Sequence, residues 1–474
     1  MRGLNSLDYE FGVAPQNPFE VDKMLKIENN QLTLWDALLP EPLRKLPEEL
    51  ASVDELLDNP AFLKPFIEAH PSHRGRPTVP AETYLRLMYL KHRYNLGYET
   101  LVQEVSDSLT WRRFCRIDLD AKVPDSTTLI KARKRYGETM TEALNGSLLQ
   151  ALREKQVLRT RKLRTDTTVI ESDIHHPTDA TLLQDGVGAM NRLMKQVRKV
   201  ASHAAQGFED KSQEVKRNIL SIAKLLRRRT QQSWEDLNAI TKDVADLAEG
   251  VCAQVELAAE AIKDKGKAAT AVLKGKLMET ASLTRKLVAQ ARQVVSGNRI
   301  IPERIVSFFD PEARPIKKGK LGKTAEFGYK VRIDETESGY VTGYELYAGN
   351  PSDDELLLPA IEQHIAQFGT APHAVATDRG FASAANQKAA ETLGVARISM
   401  PTRGKKSKKR TEHEKQHWFQ NLQRYRAAGE AKISLLKRKY GLGRSRYRGL
   451  AGSKTWVGFG IWVHNLRRAA QMTQ

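Results

Sequence analysis

At 474 residues the chain is long enough for about three domains of ~150 residues or one large elaborated one, and its 76 Lys and Arg against 57 Asp and Glu leave a formal net charge of +19. Mean hydropathy is −0.51, and the longest apolar run, Trp456 to Val463, is far short of the ~20 residues of a spanning helix, which excludes a membrane-embedded protein. Cys115 and Cys252 are the only cysteines and neither has a ligand-like spacing, which excludes a disulfide scaffold or structural zinc site and points to a reducing cytoplasm. A protein this basic is expected to meet a polyanion, nucleic acid first.

Residues 1–72 read as an arm with short helices, and its acidic positions (Glu41, Glu48, Glu49) are assigned only packing. No apolar segment follows Met1–Asn5, so no signal peptide is expected. From Pro80, Leu85, Met88 and Tyr89 recur at helical spacing, Gly97 interrupts, and shorter apolar-periodic pieces follow at Leu101–Val105 and Leu109–Phe114. Pro124-Asp125-Ser126-Thr127 is a helix start and leads into the basic Lys131, Arg133, Lys134 and Arg135. Short helices around tight turns, the last one basic, fit a helix-turn-helix-like DNA-binding module, although a helical bundle with a solvated basic face shares the pattern.

Leu163–Ile170 is β-branched and predicts a buried strand, followed by the turn-rich His175-His176-Pro177 loop. Between about 181 and 297 strand signals vanish. Leu237, Ile240, Val244, Leu247 and Val251 step by three and four residues, a heptad seam, and three or four long helices are expected to pack as a scaffold. The seam is also a candidate dimer surface. A hairpin is predicted over 327–333 and 340–346 across Glu337-Ser338-Gly339. It is followed by a helix over 354–368, a strand at 374–377, a helix over 382–393 and a strand over 395–400. Residues 404–410 read as a flexible basic linker, and a long helix from about 417 to 440 completes the order. Without the helical insert this is an α/β sheet with one antiparallel hairpin edge.

A carboxylate inside an apolar strand, Asp166, is costly unless it is paired or holds a cation. Asp378 stands where α/β sheets place their ligands, at the C-terminal end of a strand. If the two strands are neighbours, the facing carboxylates repel, and a divalent cation with oxygen ligands, Mg²⁺ above all, relieves that conflict. Two such ions about 3.5–4 Å apart activate an attacking oxygen and stabilise a leaving one. The residues alone leave open that Asp166 pairs with an arginine and that Asp378 only starts a turn. Glu430 is the candidate third acid, with Arg426 and Lys437 on the same helical face within ~60°; an ordinary i, i+4 pair on a solvated helix has the same spacing.

Asp166-Thr167-Thr168 on a strand and Asp378-Arg379-Gly380 after one resemble the DDE transposases of bacterial insertion sequences. Arg426-x3-Glu430-x6-Lys437 is similar to their Tyr-x2-Arg-x3-Glu-x6-Lys signature, with Gln423 at the Tyr position and Tyr425 two residues on. The loop from Ile174 to Asp179 resembles the one that follows the first acid in a subgroup of these elements, and Arg74–Tyr136 resembles their InsH-type N-terminal domain.

The resemblance implies an RNase H-like mixed sheet, preceded by an all-helical DNA-binding domain; the large helical insertion read from the residues lies between first strand and hairpin, where the minimal core has none. The corresponding boundaries are 73–150 for that domain, 159–180 with 326–474 for the catalytic core, 181–297 for the insertion and 298–325 for a return segment. It further implies that Asp166, Asp378 and Glu430 bind two Mg²⁺ ions, with Mn²⁺ able to substitute. Phosphodiesters at the element's ends would be hydrolysed, and each freed 3′-OH would attack target DNA. Arg426 and Lys437 would hold phosphates, and Lys131, Arg133, Lys134 and Arg135 would recognise the ends; His175 and His176 would approach DNA or pack their own loop. The expected partner is double-stranded DNA, and the expected state is a cytoplasmic, nucleoid-associated dimer. A transposase-derived DNA binder without cleavage activity is the competing expectation.

Overall fold

The computed structural model describes residues 40–69, 78–225, 227, 230–262, 268–317 and 325–472. The Arg74–Pro77 segment lies outside the described residues. By its internal contacts the chain divides into two compact units, 1–150 with 465–474 and 151–464.

The first unit is helical: α1 (Glu41–Arg44), α2 (Glu48–Leu57), α3 (Lys64–Glu68), α4 (Ala81–Arg93), α5 (Tyr98–Asp107), α6 (Leu109–Phe114) and the start of α7 (Ser126–Glu154). Gly137 interrupts α7 with φ 63° and ψ −158°, a conformation open to glycine because it has no Cβ. Phe66 meets Tyr84 and Tyr136 edge-on in the core, with ring centroids 6.0 and 4.9 Å away. The acidic arm has a definite role here. Arg86 is fully buried on α4 and reaches Asp54 at 2.6 Å and Asp58 at 2.7 Å. Glu49 binds Arg93 and Arg467; burial alone would raise its carboxyl, but the hydrogen bonds from the two guanidiniums hold it at a pKa of about 2.

The second unit opens with β1 (Lys162–Glu171), then the helices α8 (Asp179–Val200), α9 (Ser212–Leu225), α10 (Gln231–Ala261) and α11 (Ala268–Val295). The strands resume with β2 (Arg314–Ile316), β3 (Glu326–Thr336) and β4 (Val341–Tyr347). After them come α12 (Leu357–Phe368), β5 (Ala374–Ala376), α13 (Ala384–Thr392), β6 (Arg397–Ser399), α14 (Lys408–Lys415), α15 (His417–Lys439) and α16 (Gly449–Ala470). Among the described residues these strands form one sheet in the order β2-β3-β1-β5-β6, with β4 also paired to β3. β1 and β3 are antiparallel, as are β3 and β4, whereas β1, β5 and β6 run parallel. That order and polarity are RNase H-like.

Side-chain alternation along β1 and β5 sorts the two faces. Leu163 and Val375 enter an apolar cluster with Leu357, Ile361 and Ile398 under α12 and α13. Ala374 and Ala376 face the other way, against Leu422, Trp418 and Tyr425 of α15. After α15, Gly441 turns the chain at φ 77°, and a Cβ there would stand 2.8 Å from the Trp456 ring of α16. Residues Gly443–Ser445 then return to the end of β1, where Glu171 and Arg444 form a parallel bridge.

The insertion is built differently. Ala, Leu, Val and Met from α8, α10 and α11, with Val215 of α9, form a continuous apolar core. Val244 and Val251 of the heptad seam are fully buried in it, with Ile240 and Leu247 packed alongside. The seam is therefore the inside of the bundle, which corrects its reading as a dimer surface. Residues 408–415 also depart from expectation. Instead of a flexible linker they form α14, because Ser407 caps the helix at the Arg410 amide (3.2 Å) and Glu414 collects Arg410, Lys406 and the Thr402 amide.

Candidate active site

β1 lies between β3 and β5, in the middle of the sheet. Its register with β5 pairs Arg164 with Ala376, so two residues further along, on the same face, Asp166 comes level with Asp378. Asp378 stands just past the end of β5, and Asp166 is level with it in the middle of β1. Each is half-buried and fixed by a backbone amide: Thr167 N–H donates to Asp166 Oδ1 (2.7 Å) and Gly380 N–H to Asp378 Oδ1 (2.7 Å). Arg403 reaches across to the Arg379 carbonyl (2.8 Å) and to that of Gly380, clamping the turn after Asp378.

The third acid comes from α15, whose seating is set by buried charge. Arg164 donates to Glu335 Oε2 (2.8 Å) and to the Tyr425 carbonyl (2.5 Å), with its guanidinium 4.7 Å from the Tyr425 ring centroid. Gly429 sits over the same arginine: a Cβ at 429 would lie 3.4 Å from Arg164 Cδ. Lys432 closes the network on Glu335 (3.5 Å) and the Gly339 carbonyl (2.9 Å). At the other end of the crossing, Gln423 donates to the carbonyls of Thr377 (3.2 Å) and Ser399 (3.0 Å). The residue at the signature's Tyr position thus brackets the helix to the ends of β5 and β6, one residue before Asp378. Tyr425 is likewise spent inward, its hydroxyl donating to the Glu335 carbonyl (3.0 Å).

Glu430 follows Gly429, one residue past the contact with Arg164. Its side chain is 69% exposed and pairs with the half-buried Arg426 at 3.3 Å. Lys437 is half-buried on the same helical face. Asp166 and Asp378 are thus brought together on the sheet face that carries α15, while Glu430 turns to Arg426. Among the described residues no three His, Cys, Asp or Glu side chains converge closely enough to hold a metal ion. By donor chemistry the two half-buried aspartates, side by side on adjacent strands, fit a hard, oxygen-seeking cation.

The remaining sequence-predicted residues lie elsewhere. Lys131, Lys134 and Arg135 are exposed on α7 and Arg133 is half-buried; Lys131 and Arg135 line a groove of about 640 Å³ with Lys122 and Thr128. His175 and His176 are exposed, but the first stands 3.8 Å from Asp185 of α8 and the second rests edge-on against Phe327 of β3. Sequence reasoning missed Asp353, Lys330 and Thr167, a polar cluster on the opposite sheet face beside Gly380. Asp353 stands in Ser352-Asp353-Asp354-Glu355, which reads as an ordinary acidic first turn, and nothing in its spacing marks it. The Arg164–Glu335 pair was foreseeable only once β1 and β3 were aligned.

A family model described as transposase DDE domain matches residues 307–466, and one described as transposase domain (DUF772) matches residues 38–135. The chain belongs to the DDE transposases of insertion sequences. No solved structure matches it. The DDE match spans Asp378 and Glu430 and begins after the insertion, whereas Asp166 lies upstream of it. The fold returns β1 to the middle of the sheet formed by the matched strands. Transposases of this family bind DNA and use divalent metal ions to cut and join it. No described helix of this transposase is long and apolar enough to cross a membrane.

Proposed function

We propose that Asp166, Asp378 and Glu430 are the acidic triad of this transposase and hold two Mg²⁺ ions while the ends of its element are cut and joined to target DNA. The observation that carries this reading is the register of β1 on β5, which sets Asp166 level with Asp378 although an insertion of four helices separates the strands. Bound there, the ions would lower the pKa of the attacking water and neutralise charge on the phosphoryl group.

The chain's own residues do the rest. The Thr167 and Gly380 amides hold the two aspartates in place before DNA arrives. Arg426 is a latent phosphate contact: when Glu430 turns to the site, its guanidinium is released for the strand being cut. Lys437, seven residues on, provides a second cation on that face. In the first step a water oxygen displaces the 3′ oxygen from phosphorus. In the second that 3′-OH displaces another in the target, so each bond broken is matched by one formed and no protein–DNA bond arises.

Basic positions on α7 (Lys131, Arg133, Lys134, Arg135) bind the ends, while His175 and His176 approach the duplex from the loop after β1. The protein acts in the bacterial cytoplasm on nucleoid DNA, as a dimer on paired ends. Because these contacts neutralise phosphates, binding weakens steeply with salt. Cleavage of DNA spanning the gene's flanks, by wild type and Glu430→Ala in Mg²⁺ and in EDTA, tests the proposal. It expects discrete cuts by wild type with metal only; a specific gel shift without cuts in Mg²⁺ or Mn²⁺ refutes it.

A further inference from the structure

Asp353 is assigned to neither metal nor DNA above, yet it touches Thr167 and Gly380, whose amides hold Asp166 and Asp378. It begins a single 3-10 turn, Asp353–Leu356, ahead of α12. Its Oδ1 accepts a hydrogen bond from Thr167 Oγ1 (2.9 Å) and an ion pair from Lys330 Nζ (2.6 Å). The lysine is itself buried and donates to the Pro351 carbonyl (2.6 Å). The other oxygen, Oδ2, lies 2.7 Å from the point a Cβ on Gly380 would occupy, and Asp378 Oδ1 lies 2.8 Å from that same point. Residue 380 has no room for a side chain because two carboxylates close on it.

The two amides that orient Asp166 and Asp378 belong to Thr167 and Gly380, and these are the residues Asp353 contacts. One carboxylate therefore ties together β1, β3 and the turn after β5. Lys330 supplies the charge that lets it stay there half-buried.

We propose that Asp353 is a positioning residue: it clamps Thr167 against the Gly380 turn and so sets the distance and orientation of Asp166 and Asp378. This rests on the reading of those two aspartates as metal ligands. Two variants of the full-length protein separate the role from folding. Thr167→Val removes one hydrogen bond and leaves the Asp353–Lys330 pair intact. The double variant Asp353→Ala/Lys330→Met removes the clamp without leaving a buried ammonium unpaired. Thermal stabilisation by Mn²⁺ in the absence of DNA, and the Mg²⁺ dependence of end cleavage, are the two readouts.

The metal concentration at half-effect is expected to rise ~10–100-fold in the double variant and ~3–10-fold in Thr167→Val. The melting temperature of Thr167→Val in EDTA stays near wild type. Half-effect concentrations equal to wild type in Thr167→Val, with wild type itself metal-dependent, overturn the positioning role alone, and this arm decides even if the double variant does not fold. A wild type indifferent to metal in both readouts overturns the proposed active site, and the inference with it.

Discussion

The insertion bundle and the sheet it interrupts solve opposite problems. The bundle is held by apolar side chains such as Val244, Val251, Leu277 and Leu287, with its charged pairs at the surface. The centre of the sheet is laced with buried charge: Arg164 with Glu335 and Lys432 on one face, Arg332 with Asp334 and Lys330 with Asp353 on the other. Apolar burial is non-directional, so a bundle tolerates change wherever volume is kept. Buried ion pairs gain little net stability but fix geometry, and they surround the strands on which two aspartates must face one another. The contrast separates a part built for bulk from a part built for position.

Breaking one member of a sheet network should show the largest effect. Glu335→Ala leaves Arg164 and Lys432 facing each other without their carboxylate and should cost about 3–5 kcal/mol in denaturant unfolding. Leu277→Ala opens a cavity in the bundle and should cost about 2–4 kcal/mol, and a volume-conserving Leu277→Met should restore most of it. Glu335→Gln, by contrast, restores little, because the loss is one of charge pairing.

A third difference is in pH response. Burial against Phe368 drives the His364 imidazole down from 6.5 to about 4. The unfolded chain therefore binds a proton there below pH 6.5 that the folded chain refuses until about 4. Its contribution is present in full above 6.5 and is lost as pH falls toward 4, on the order of 2–3 kcal/mol. His364→Phe should flatten that segment of the stability curve. The smallest effect is expected at the bundle surface, where Glu256→Ala removes the exposed pair with Arg285 and should change stability by less than about 1 kcal/mol.

Much of this architecture is legible in the residues. The hairpin across Gly339, the strand around Asp166 and the long helix from 417 were all predictable, because alternation and helical spacing are local signals. Other features depend on pairing across long stretches of chain. That β1 sits beside β5 rather than at an edge follows from packing after the insertion loops out, and no local pattern encodes it. Asp353 was invisible because its acidic turn resembles any helix start; only the placement of Thr167 and Gly380 gives it meaning. Of the basic stretch 404–410 only the end is helical: the Ser407 cap and the Arg410–Glu414 spacing start α14 at Lys408. In the last helix, α16, glycines at 458 and 460 interrupt the apolar periodicity; a Cβ at 460 would collide with the Tyr440 carbonyl.

The proposed active site requires that Asp378 touch the metal. Single-turnover cleavage of end DNA by Asp378→Cys, in Mg²⁺ and then in Mn²⁺, tests this directly, since a thiolate is a poor ligand for Mg²⁺ and a better one for Mn²⁺. The expected result is a loss on the order of 10³-fold in Mg²⁺, with a substantial part recovered in Mn²⁺ and DNA binding unchanged throughout. Cleavage in Mg²⁺ at the wild-type rate would contradict it.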